Sequence, residues 1–130
     1  MRTISILLLA TMTAFGLGCG YGSKTITPPT AGTAPTISSL APTSANHGDP
    51  AFVLTVNGTN FASNAAINWG GAAQTTTFVT GSQLTATIPA TAIASAATVH
   101  ITVTNPAVAG GAYGGGTTAA TSASMDFTVN

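Results

Sequence analysis

Formal charge is almost absent from this 130-residue chain, which holds two basic and two acidic side chains, 3% of its residues. Nucleic-acid binding by a basic footprint is excluded, because that footprint needs clustered Lys and Arg. A polybasic membrane patch is excluded on the same count. Cysteine occurs once, at Cys19, which excludes a disulfide within the chain. Long apolar runs are missing too. The one candidate, residues 4–18, is shorter than the ~20 residues that cross a bilayer core. No glycine motif follows a strand and opens a helix, as a phosphate cradle requires.

What the chain has instead is threonine, at 25 positions, with 15 Gly and 7 Pro. The branched threonine side chain favours strands, and Gly and Pro punctuate short apolar runs, so the composition points to an all-β domain. Lysine is unavailable to protect sheet edges. Pro50, Pro89 and Pro106, near expected strand ends, are the expected substitute, since proline removes a ladder donor.

Residues 1–18 combine Arg2, a short apolar core and the small-residue ending Gly16-Leu17-Gly18. That is the pattern of a secretory signal. With Cys19 directly behind it, the segment resembles a bacterial lipoprotein signal, with the aliphatic and small positions reversed at Gly16-Leu17. The resemblance implies cleavage before Cys19, acylation of its thiol and stable anchoring by several acyl chains. In lipoproteins of this kind an aspartate after the cysteine favours inner-membrane retention. Gly20 stands there instead, so the expectation is the outer membrane or cell surface. Residues 19–34 then read as the lipidated cysteine and a Thr/Pro/Gly-rich tether, its last fifteen residues spanning ~50 Å at most.

From Pro35 onward the hydrophobic period is two. Leu54 and Val56, Ile67 and Trp69, Leu84, Ala86 and Ile88, Val99, Ile101 and Val103, and Phe127 and Val129 each line one face of an expected strand. His47-Gly48-Asp49-Pro50, Asn57-Gly58, Gly70-Gly71 and Gly81-Ser82 carry turn chemistry. Seven short strands at this spacing describe a β-sandwich. Pro35-Thr36-Ile37-Ser38-Ser39-Leu40-Ala41-Pro42 and the run Phe52 to Phe61, with its Gly58-Thr59-Asn60-Phe61 step, resemble the opening of an IPT/TIG domain. Ile67 to Gly71, Gln83 to Pro89, Val99 to Pro106 and Phe127 to Asn130 continue the likeness. It covers residues 35–130 and implies an immunoglobulin-like fold. The connection 107–124 is longer and richer in glycine than the family usually carries.

Chemistry is thinly supplied. After residue 18 the carboxylates are Asp49 and Asp126, on different expected elements, and the histidines are His47 and His100. Alternation turns His100 outward, and His47 with Asp49 forms a turn that lacks further metal ligands. No catalytic residue, metal site or cofactor is therefore expected, and the chain is read as a non-enzyme. Trp69 shares the inward face of Ile67 and is expected in the core. Tyr113, among glycines in the connection 107–124, is the candidate binding residue; a stretch of that length is either functional or slack. Together these features predict a non-catalytic, lipid-anchored envelope protein whose domain is a protein-interaction or structural module. The alternative is a carbohydrate-binding surface module using Tyr113. The partners that follow are the membrane, through Cys19, and an envelope protein or polysaccharide.

Overall fold

The computed structural model describes residues 27–130. Its strands are β1 (Thr36–Ala41), β2 (Ser44–Ala45), β3 (Phe52–Thr59), β4 (Ala66–Trp69), β5 (Ala72–Ala73), β6 (Thr76–Thr80) and β7 (Gln83–Ile88). After a 3-10 turn at Ala90–Ile93 come β8 (Ala97–Asn105), β9 (Val108–Gly111), β10 (Gly114–Thr117), β11 (Ala120–Thr121) and β12 (Met125–Val129). One sheet runs β1-β3-β7-β6 and the other β2-β12-β8-β4-β5, with β11 also pairing β8. Within these two sheets all pairings are antiparallel except β2 with β12. This is an all-β sandwich of two sheets packed around one core.

Period two drives the layering. On β3, Leu54 and Val56 are buried while Val53 faces solvent; on β7, Leu84, Ala86 and Ile88 meet them across the register. The other sheet contributes Ile67, Trp69, Ile101, Val103, Phe127 and Val129. Burying each large side chain contributes about 1.5–3 kcal/mol against the cost of ordering it. Phe127 lies 5.6 Å from the Phe52 ring and 5.0 Å from Trp69, centroid to centroid. Trp69 is 7% exposed, in the core as its face predicts.

Four expectations need correction. The seven expected strands are present, but five short ones accompany them. Asn57-Gly58 does not end β3, which runs on to Thr59. Gly58 is there for space: a Cβ would sit 1.8 Å from the Thr36 carbonyl oxygen and 2.6 Å from the Phe61 ring. The left-handed turn comes at Asn60, with φ 61°. Pro50, Pro89 and Pro106 flank β3, β7 and β8, which are interior strands, so they do not protect the edges.

The last correction concerns the long connection and the tether. Residues 107–124 are not structureless, since they hold β9, β10 and β11. The end of the expected tether is ordered as well: Thr27 and Thr30 bridge in parallel to Gly114 and Thr117. The rest of the tether, the signal segment and Cys19 lie outside the described residues.

Candidate functional site

Tyr113 sits at the tip of the β9–β10 hairpin, beyond the Gly114–Gly111 pair, and is 69% exposed. The glycines behind it are a backbone requirement, not slack. Gly114, Gly115 and Gly116 have φ of 89°, 86° and 89°, a region that glycine enters without steric cost. A Cβ on Gly116 would lie 2.3 Å from the Val108 carbonyl oxygen, and one on Gly110 would lie 2.2 Å from that of Gly115.

Residues 27–30 form a strap along β10. The Thr27 N–H donates to the Tyr113 carbonyl (3.2 Å) and the Gly115 N–H to that of Thr27 (2.8 Å). Further along, the Thr30 N–H donates to Gly116 and the Thr118 N–H to Thr30, both at 3.0 Å. At the base, Asn105 joins three segments. Its Oδ1 accepts from the Ala62 N–H (3.0 Å), and its Nδ2 donates to the carbonyls of Asn60 (2.7 Å) and Thr33 (2.9 Å). Beside it opens a cleft of about 380 Å³, walled by Thr33, Phe61, Val108 and Thr117 among others. The Asn105 amide is fully engaged, so it serves as a latch between strap and sandwich.

The histidines fall at separate places. His47 Nδ1 donates to the Asn130 carbonyl (2.6 Å), and Asp49 Oδ2 accepts from the Asn46 N–H (3.0 Å). The pair closes the end of the sandwich opposite Asn105 and tethers the β12 terminus. His100 is on the outer face of β8, directly opposite Asp126 on β12, with Nδ1 2.6 Å from Oδ1. Separate expected elements gave no hint of that contact; only the strand register brings the two side chains together. Around them the face is polar. Asn68 donates to the hydroxyls of Thr102 (3.1 Å) and Thr104 (3.0 Å), and Thr104 shares a hydrogen bond with Thr121 (2.9 Å). Among the described residues no three His, Cys, Asp or Glu side chains form a metal-binding group. Thus His47, Asp49 and His100 do not form one site.

The β6 edge was missed by sequence reading. Among the described residues β6 pairs only with β7, leaving its other side open. It carries no charge and no proline, and Phe78 and Val79 on it are 40% and 46% exposed. A bulge between Phe78 and Thr80 interrupts its register. Its composition resembles any interior strand, and edge position is a property of the sheet order.

A family model for the IPT/TIG domain matches residues 35–128, nearly the whole sandwich. The chain belongs to the IPT/TIG family. No curated protein and no solved structure matches it. IPT/TIG domains are immunoglobulin-like modules that generally serve protein interaction or structure and are typically non-catalytic. In this IPT/TIG domain the strap and hairpin extend from the Asn105 end of the sandwich, while the polar His100 face and the β6 edge lie along its sides.

Proposed function

We propose that this protein is a non-catalytic, lipid-anchored component of the cell envelope that presents its IPT/TIG sandwich to a protein partner. The observation that carries the interaction role is the open β6 edge, uncharged and bearing Phe78 and Val79. Such an edge offers main-chain groups for strand addition and apolar side chains for selectivity. Its bulge limits regular pairing to the Thr76–Phe78 end. Export and anchoring rest on the signal pattern before Cys19. The carbohydrate alternative asks for several aromatic faces on one surface; of Trp69 and Tyr113, only Tyr113 is exposed.

The test places a photoreactive side chain at Thr77 in the full chain within its own envelope, with His100 as the comparison site on the other sheet. A discrete adduct at position 77, absent at position 100 and lost on Val79→Lys, supports edge recognition. No adduct, or equal adducts from both sheets, refutes it. Separately, Cys19→Ala should release the protein from the membrane fraction, and the mass of the N-terminal peptide should show the acyl chains.

A further inference from the structure

The hairpin has a direction. Because residues 27–30 run parallel to β10, Thr30 and Thr117 lie together at its base and Thr27 and Gly114 together at its tip. The base meets the sandwich through the Asn105–Thr33 bond, and the strap packs closely on the chain after β10 at Gly32, whose Cβ would fall 2.3 Å from the Thr118 carbonyl oxygen. The chain before Thr27 therefore leaves from the tip, beside Tyr113. The eight-residue step from Cys19 to Thr27 spans at most about 29 Å, far less than a free fifteen-residue tether. Whatever holds Cys19 therefore keeps the Tyr113 tip within that reach.

We infer that the β9–β10 tip is a second membrane contact, with Tyr113 seated in the lipid headgroup layer. This rests on the proposed acylation of Cys19. The tip has the chemistry for it. Residues 108–117 carry no charge that would oppose approach to lipid. Tyrosine sits well at a bilayer interface because its ring is apolar and its hydroxyl is wet. One tyrosine binds lipid weakly, but the anchor makes the contact intramolecular, so weak affinity suffices. The three left-handed glycines and the strap hold the tip in place. Docked this way, the sandwich stands end-on, with the His47–Asn130 end outermost.

The test uses the full-length acylated protein in phosphatidylethanolamine/phosphatidylglycerol vesicles. Tyr113→Trp is compared with Ser95→Trp, at the opposite end, and with the parent, whose Trp69 supplies the background. All three proteins should float with the vesicles. The emission added by Tyr113→Trp should be blue-shifted and quenched by brominated lipid, while that added by Ser95→Trp should stay unchanged. Flotation with the Tyr113→Trp emission still water-like and unquenched overturns the tip contact while leaving the anchor intact. Absence of flotation and of acyl mass on Cys19 overturns the anchor, and the tip contact with it. A shift in the Tyr113→Trp emission on adding envelope polysaccharide, but not on vesicle insertion, assigns the tip to sugars and also overturns the inference.

Discussion

Replacing Asn105 by alanine removes the junction between strap, β3–β4 connection and β8, and its effect can be worked from the contacts. Three hydrogen bonds are lost, to Ala62 N–H and to the Asn60 and Thr33 carbonyls. At a net of about 1 kcal/mol each, the loss is about 3 kcal/mol. The adjoining cleft admits water to the freed groups, so no large desolvation penalty adds to it. For a domain of this size the melting temperature should fall by about 12–24 °C. Urea unfolding followed by Trp69 emission measures the free-energy loss, and a thermal melt the shift, since Trp69 is buried in the folded state. Asn105→Asp separates hydrogen bonding from packing. It keeps an acceptor for Ala62 but turns lone pairs toward two carbonyls, so at neutral pH it should be no better than alanine. The same crowding favours the protonated acid in the folded state, raising its pKa above the unfolded ~3.9. The folded state then binds more protons, and stability falls as pH rises through that window. Asn105→Ala within about 0.5 kcal/mol of the parent, the range of an ordinary surface change, would refute the latch.

Phe127→Ala removes the ring shared by Phe52 and Trp69 and should cost about 3–5 kcal/mol in the same unfolding assay, with loss of near-ultraviolet dichroism. Gly58→Ala drives a methyl into the Thr36 carbonyl; separating β1 from β3 should cost about 3 kcal/mol, the upper range of overpacking. Gly116→Ala should open the hairpin and strap, speeding amide exchange at Thr27, Thr30 and 108–117, while global stability changes by under about 1 kcal/mol because local opening spares the core. Asp126→Asn should change stability by less than about 1 kcal/mol by denaturant titration, because its pair with His100 is solvent-exposed.

A docked hairpin would also change what the tether means. A free fifteen-residue segment would set a domain adrift over the surface, whereas residues 27–30 pair with β10, which under the proposed acylation would turn the hairpin end of the IPT/TIG sandwich toward Cys19. Recognition at β6 would then occur along the flank of a standing module. The two proposals are separable: removing Tyr113 should change orientation at the bilayer without touching the edge.

Alternation in β3, β7, β8 and β12 was legible because burial on one face of a strand imposes a period of two on the residues themselves. The same local rule placed Trp69 inside and His100 outside, and the turn at His47–Asp49 followed from side chains that bond their own backbone. None of the relations between distant segments could be read that way. The His100–Asp126 contact depends on β12 registering with β8, and the exposure of β6 depends on sheet order. The glycine-rich run 110–116 read equally as a binding loop or as slack chain, because composition reports conformational freedom, not the partner that removes it. Its partner is the strap, Thr27 to Thr30, more than eighty residues away. The sandwich, its core and its family were already written in the residue order, since each rests on local pattern. The hairpin, the Asn105 latch and the open edge were not, because they arise from main-chain groups that every residue carries and only the fold brings together.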